Sequence, residues 1–233
     1  MAGVRWEFDK VPGDGLKDIT FGFNMANSTP KAGLYYAQEF SFGGIPKPTD
    51  PKAWPALAYT AVQPRPVKNG QPIVRAAFSS FIAGTSTTSS TCRGGADGRS
   101  DRVSCSVEFP GNYSHTYNIA VENTGGTTWR GTIVDAETAD SHVVGEWTLP
   151  ASAKGINRNH IGFVEYYPWN GKQPHVCKNL PRAAVTFYDP TSKTSGAGTG
   201  KISKVYQSGD CVNKEDYFAS KVSKGVYIEA GFT

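Results

Sequence analysis

Hydrophobic and polar residues alternate along most of the chain. In 103–109 every second residue is apolar or cysteine, and in 143–149 Val143, Gly145 and Trp147 are expected to share a face. Successive side chains of a β-strand point to opposite faces, so a two-residue period predicts strands with one buried and one solvated side. The same period recurs in 19–25, 117–122, 129–134 and 226–232.

Many short strands separated by Gly, Pro, Asn and Asp turns are typical of antiparallel sheets. The pattern therefore predicts an all-β fold, an antiparallel β-sandwich of the jelly-roll or concanavalin-like type, as a single domain over residues 1–233. One short helix is expected at 214–224, where Asn213 could cap it. The first and last strong strands, 4–8 and 226–232, are expected to pair with each other.

The chain has four cysteines: Cys92, Cys105, Cys177 and Cys211. They allow three pairings, and we predict the sequential one, in which the first two form one disulfide and the last two another. Structural zinc is disfavoured, because no pair has C-x-x-C spacing and His175, beside Cys177, lacks further ligands. Two disulfides imply an oxidising compartment, so we expect a secreted, extracellular protein.

The charges are nearly balanced and scattered. There are 24 basic and 20 acidic residues, a net charge of +4 without a basic run, so no nucleic-acid partner is predicted. No segment approaches the roughly 18 apolar residues of a membrane span, and the chain is read as a mature form. The triplets at Asn27 and Asn112 fit N-glycosylation on a secretory route. Asp97 and Asp101 offer too few oxygens for calcium, and no metal or cofactor is predicted.

The first candidate binding segment is the aromatic turn at 162–171. Tyr166, Tyr167 and Trp169 could form a platform for the apolar face of a sugar ring. Glu165 and Asn170 could then form hydrogen bonds with sugar hydroxyls. The alternative is that these rings pack between the sheets and the turn has no binding role.

The second candidate is a polar face formed by two strand-like segments. Tyr36, Gln38 and Glu39 come from one, and Gln63 and Arg65, two residues apart and therefore on the same side, come from the other. Such a face could bind sugar hydroxyls, or a uronate carboxylate through the arginine. The alternative is an ordinary solvent-facing sheet surface.

No catalytic motif is present: the chain has no G-x-S-x-G elbow, no H-E-x-x-H and no phosphate loop. The strand carboxylates Glu39, Glu146 and Glu165 could converge as the pair that glycoside hydrolysis requires. A lyase could use Tyr36 or His160 as the base, with Gln63 and Arg65 neutralising an acidic sugar. The sequence thus favours binding over catalysis and leaves catalysis open.

Five segments together carry a resemblance: 33–42, 61–65, 77–79, 128–135 and 145–147. Over roughly residues 30–190 the chain resembles an uncharacterised domain family of secreted bacterial and fungal proteins. In some members this domain stands beside modules thought to bind carbohydrate. The resemblance implies a secreted β-sandwich and a glycan context, and the family offers no agreed catalytic residues to carry over.

These observations predict a lectin-like protein that recognises a glycan or polysaccharide through an aromatic and polar cleft. One alternative is a polysaccharide-cleaving enzyme, a lyase or glycoside hydrolase, that uses the same cleft. The other is a secreted protein-interaction factor. The sequence does not indicate the sugar or the oligomeric state.

Overall fold

The computed structural model describes residues 1–46, 56–96, 99–170 and 174–232. Over these residues the regular secondary structure is almost entirely β-strand, with a short helix, α1 (Tyr167–Asn170), and a 3-10 turn (Cys177–Asn179). Asp97 lies outside the described residues, as does the side chain of Asn170. The strands are β1 (Ala2–Phe8), β2 (Asp18–Asn24), β3 (Leu34–Phe40), β4 (Ala58–Lys68), β5 (Gln71–Ser80), β6 (Cys92–Gly94), β7 (Val103–Pro110), β8 (Thr116–Gly125), β9 (Thr128–Asp135), β10 (Ser141–Thr148), β11 (Asn159–Tyr166), β12 (Ala183–Tyr188), β13 (Gly200–Gln207), β14 (Tyr217–Val222) and β15 (Gly225–Ala230).

The described strands form two antiparallel sheets. Sheet I has the order β13-β1-β11-β3-β4-β5-β7-β6, and sheet II has the order β10-β9-β8-β2-β12-β15-β14. This arrangement confirms the predicted all-β antiparallel sandwich. Among the described helices, none is long and apolar enough to cross a membrane.

A continuous aromatic core lies between the sheets. Trp6 of sheet I meets Phe21 of sheet II edge-on, with ring centroids 5.4 Å apart, and Phe78 stacks on Trp147 at 4.5 Å. All four rings are buried. Burial of one phenylalanine contributes about 1.5–3 kcal/mol, so this layer stabilises both sheets and sets which face of each strand points inward.

The predicted pairing of the terminal strands is wrong. Strand β1 lies between β11 and β13 in sheet I, whereas β15 lies between β12 and β14 in sheet II. Alternation specifies which side chains are buried, but it does not specify the neighbouring strand. The fit of β1 to β13 depends on Gly3, where a Cβ would come 2.5 Å from the Tyr206 ring.

The predicted helix at 214–224 is also wrong. The segment contains β14, which pairs with β15 through a tight turn in which Lys224 has φ 55°. Tyr217 and Ala219 pack against the core while Phe218 between them is 54% exposed. That two-residue period belongs to a strand, and it overrides the weak helix signal.

A β-bulge corrects the predicted facing of β10. The pairing of β10 with β9 shifts between Val143 and Gly145, so Val143 is 49% exposed whereas Val144 is fully buried. A bulge inserts one residue and reverses the alternation on one side of it. Gly145 and Trp147 face inward as predicted.

Both predicted disulfides are present, in the sequential pairing. Cys92 on β6 is bonded to Cys105, directly opposite it on β7, and Cys177 is bonded to Cys211. The first disulfide packs on Gly145 of sheet II, where a Cβ would lie 2.4 Å from the Cys105 Cβ. The disulfide and the glycine together allow the sheets to approach closely at this corner.

His115 and Asp135 form a charged pair beside β8 and β9. The His115 Nδ1 lies 2.7 Å from an Asp135 oxygen, and this hydrogen bond raises the pKa of His115. Partial burial alone would raise the pKa of Asp135, but hydrogen bonds from His115 and from the backbone of Glu137 and Thr138 lower it on balance. The ligand atoms of His115, Asp135 and Glu137 lie within 4.8 Å of one another. In the structure His115 is hydrogen-bonded to Asp135, and the Glu137 carboxylate accepts hydrogen bonds from the Thr116 backbone N–H.

We expect Gly145→Ala to lower the free energy of unfolding by about 1–3 kcal/mol, because the new methyl group overlaps the Cys92–Cys105 disulfide. Gly13→Ala is the matched control, since no atom lies within 4 Å of the position that its added methyl group would take. Urea unfolding of both variants measures the difference. Equal stabilities would contradict the close packing at Gly145.

We expect the His115–Asp135 pair to stabilise the fold chiefly between the two pKa values. The histidine contribution is complete below its unfolded pKa of about 6.5 and is lost as the pH rises through its raised folded pKa. The aspartate contribution is present above about 3.9 and is lost as the pH falls through its lowered folded pKa. The difference in Tm between wild type and His115→Asn should therefore be larger at about pH 5.5 than at about pH 9. The same difference at both would refute this assignment.

Candidate functional site

The side of sheet I that is turned away from sheet II carries the candidate site, and we call it the outer face. On β3, Leu34, Tyr36 and Phe40 belong to the core between the sheets. Because side chains alternate along a strand, Tyr35 and Glu39 point to the outer face. Three alanines on neighbouring strands occupy the same face and pack against the rings of Tyr35, Tyr59 and Phe163: Ala37, Ala61 and Ala77.

A row of polar side chains crosses the outer face from strand to strand. Glu165 of β11 lies opposite Tyr35 of β3. Tyr36 pairs with Val62, so Tyr35 lies beside Gln63 of β4, which in turn pairs with Arg75 of β5. Residues directly opposite in an antiparallel pair have Cβ atoms about 5 Å apart. Tyr35 alone therefore separates the Glu165 carboxylate from the Gln63 amide.

Gln63 is buried without satisfying its amide. The residue is 1% exposed, and among the described residues its Nε2 has no hydrogen-bond partner. Burial raises the pKa of the adjacent Tyr35 hydroxyl, while the Arg75 cation and the Gln63 side chain oppose that rise. A buried amide N–H without an acceptor costs free energy, and a carbonyl oxygen that reached this donor would remove that cost.

The arginines at the far end of the row are already paired. Arg65 Nε lies 3.1 Å from a Glu108 oxygen, and Arg75 Nη1 lies 3.2 Å from the same oxygen. Arg75 also donates to Ser106 Oγ at 3.0 Å. Arg65 was predicted to bind a ligand carboxylate, and in the structure its guanidinium is paired with the carboxylate of Glu108.

A cleft of about 590 Å³ opens above the outer face at the β11 side. Its aromatic rings contact one another: Tyr35 lies 5.7 Å from Tyr167 and 6.3 Å from Tyr59, edge-on in both cases, and Tyr59 stacks on Phe81 at 5.5 Å. Two carboxylates, Glu39 and Glu165, also line the cleft. The cleft thus combines an apolar base with two acidic groups.

Glu39 lies at the opposite end of the cleft base from Glu165. The Glu39 side chain is 16% exposed, and one of its oxygens lies 3.1 Å from His160 Nδ1. Its negative charge also contributes to the raised pKa of Tyr206, although burial of that ring is the larger cause. Glu39 is therefore a partly buried carboxylate with a histidine beside it.

The short helix α1 forms one wall of the cleft. The Trp169 ring stacks on His175 at 3.9 Å, and its Nε1–H donates to the Val176 carbonyl oxygen at 3.2 Å. His175 Nδ1 lies 2.6 Å from an Asp210 oxygen, next to the Cys177–Cys211 disulfide. These contacts fix Trp169 in the wall and cover one face of its ring.

Two predicted site residues are placed elsewhere. Tyr36 and Gln38 are fully buried between the sheets, where the Tyr36 hydroxyl contacts Ser28 and accepts a hydrogen bond from the Ala184 N–H at 3.3 Å. Burial raises the pKa of Tyr36. The Gln38 side chain lies over Gly162, the only residue type with room for it. Neither residue reaches the cleft.

Several remaining candidates do lie together around the cleft. Glu39, Glu165, Tyr166, Tyr167 and Trp169 line it, and Gln63 lies behind Tyr35. The sequence interpretation missed five residues that complete the site. The sequence signal for these residues was that they alternate with small residues of the same strands or adjoin those strands. The five residues are Tyr35, Tyr59, Arg75, Phe81 and Phe163.

Comparison with known proteins gave matches among solved structures. No protein-family model and no curated protein matches the chain. The chain is similar to Scytalido-glutamic peptidase with a peptide-based transition-state analogue, at a TM-score of 0.49 and 12% identity over 100% of both chains. A second structure of that peptidase with a transition-state analogue inhibitor gives 0.46 and 13% over 98% of both. SCP-B, described as an eqolisin-family peptidase in complex with the tripeptide Ala-Ile-His, gives 0.43 and 12% over 100% of both.

The predicted lectin-like function is wrong, and with it the glycan or polysaccharide partner and the glycan context of the family resemblance. The matching structures are peptidases, and the ligands named for them are peptides or transition-state analogues. None of these three structures is described as a glycan-binding or polysaccharide-cleaving protein.

We expect Gln63→Leu to raise the free energy of unfolding by about 1 kcal/mol, because it removes a buried N–H that has no acceptor. Gln71→Leu, at the exposed start of β5, should leave stability nearly unchanged. Urea unfolding compares the two variants with wild type. A clear destabilisation by Gln63→Leu would show that the Gln63 amide is satisfied after all.

Proposed function

We propose that the protein hydrolyses peptide bonds in an extended polypeptide bound on the outer face of sheet I. Glu165 would act as the general base and acid, and the Gln63 amide would donate a hydrogen bond to the carbonyl oxygen of the scissile bond. The observation that carries the proposal is the buried Gln63 N–H, without an acceptor among the described residues and separated only by strand β3 from the Glu165 carboxylate in an open cleft.

The two groups supply what amide hydrolysis requires. The Glu165 carboxylate takes a proton from a water molecule as the water oxygen attacks the carbonyl carbon. The carbonyl oxygen becomes negatively charged and is stabilised by the Gln63 N–H, a donor fixed in position before the reaction. Protonated Glu165 then gives its proton to the leaving nitrogen as the C–N bond breaks, which yields a carboxylic acid and an amine.

The cleft favours a polypeptide for chemical reasons. An amide N–H that lacks an acceptor is complementary to the carbonyl oxygen of a peptide bond. The tyrosine and phenylalanine rings at the base of the cleft offer apolar area to substrate side chains. The two disulfides support a secreted, extracellular protein, and one core shared by the two sheets supports a single domain over residues 1–233.

We expect Glu165→Gln to reduce the hydrolysis of a denatured protein substrate by at least about 100-fold, because an amide cannot take a proton from the attacking water and pass it to the leaving nitrogen. Gln63→Leu should reduce kcat by about 100-fold or more while the protein remains folded. Glu122→Gln, an exposed carboxylate on β8 of sheet II, is the control. Peptide release measured by mass spectrometry gives the rates. Full activity in Glu165→Gln would refute the proposal.

A further inference from the structure

We infer that the polypeptide selected by this cleft carries a lysine or arginine side chain, whose cation is held over the aromatic base by Glu39. The inference rests on the proposed function, since it assumes a peptide on the outer face. It assigns a substrate class to that site and a recognition role to a residue that takes no part in the hydrolysis itself.

The separation of the two carboxylates favours a long side chain. Glu39 lies four residues along β3 from Tyr35, and Tyr35 is the cross-strand neighbour of Glu165. At 3.2–3.4 Å per residue, Glu39 is about 13 Å along the strand from the Glu165–Gln63 row. This distance has to be bridged by the Glu39 side chain and by a substrate side chain that begins at the scissile bond. Only a long substrate side chain can reach far enough. Lysine and arginine have both the length and the opposite charge.

The surface between the two carboxylates suits the stem and the cation of such a side chain. The rings of Tyr35, Tyr59 and Phe163 pack against the alanines of the outer face. The methylene groups of lysine or arginine pack well on apolar surface while the charged end stays near a carboxylate. A cation within about 6 Å of an aromatic ring centre is also attracted by the ring face.

Among the described residues no arginine forms an ion pair with Glu39, although Arg5 lies across β11 from it. Among the ion pairs of the described residues, Glu39 pairs with His160, which is uncharged unless protonated. Arg65 and Arg75 both pair with Glu108 at the far end of the row. The aromatic base alone would accept a neutral apolar side chain equally well. The partly buried carboxylate of Glu39 is the group that discriminates against it, because an apolar side chain would desolvate that charge without compensating it.

The experiment uses three synthetic peptides that are identical except at one position beside the cleaved bond, which holds lysine, norleucine or glutamate. The cleaved bond is first located by mass spectrometry in a mixed peptide library. For wild type, we expect kcat/KM to be about tenfold or more higher for the lysine peptide than for the norleucine peptide, and lowest for the glutamate peptide. Glu39→Gln should reduce the lysine-to-norleucine ratio to about one, and Glu122→Gln should keep the wild-type ratio.

The outcomes separate the two proposals. If wild type cleaves the lysine and norleucine peptides equally, the inference about Glu39 is overturned and the proposed hydrolysis stands. If no peptide is cleaved, the proposed hydrolysis fails, and titration of the same fluorescently labelled peptides decides the inference: tenfold tighter binding of the lysine peptide supports it, and equal binding overturns it. The comparison of peptides on wild type does not depend on the folding of any variant.

Discussion

The candidate site depends on the strand register of sheet I. Tyr36, Val62 and Phe78 are held in the core between the sheets, and this burial turns the intervening residues of the same strands outward. A slip of one residue would exchange the two faces and place Glu39 and Gln63 against the core. Because burying an unpaired charge is costly, the hydrophobic core fixes the register and thereby assembles the site.

The residues of the outer face that we assign to the site lower the stability of the fold. The Gln63 amide is buried without an acceptor among the described residues, and the partly buried Glu39 carboxylate lies beside a histidine. Three alanines leave room for aromatic rings on a surface where larger residues would pack more fully. Local departures of this kind, in an otherwise consistent sandwich, are expected at functional sites. The core side of the same strands is mostly apolar, with Gln38 and Thr60 as buried polar exceptions.

Local pattern predicted the strands and the disulfides well, because both depend on residues close in sequence or on the number of cysteines. It could not show which face of 34–40 is buried, since Tyr35 and Tyr36 offer similar rings to either side; Tyr36 and Gln38 were misplaced for that reason. It could not bring Gln63 and Glu165 together either, because their strands are separated by about one hundred residues along the chain and only the sheet order makes them near neighbours. Aromatic rings beside polar groups also suit sugars and peptides alike, so the surface chemistry alone led to the wrong ligand.

The edges of sheet I bear on how a partner chain can approach. One edge strand, β6, is three residues long and cross-linked to its neighbour by a disulfide, and the other, β13, carries Lys201 and Lys204. Short edge strands and edge lysines both discourage the addition of a further strand. An extended chain is therefore directed away from backbone pairing at the rim and onto the broad surface, where side chains make the contacts. Selectivity on such a surface is set by side-chain chemistry, whereas backbone pairing at an edge strand, which would accept many sequences, is disfavoured.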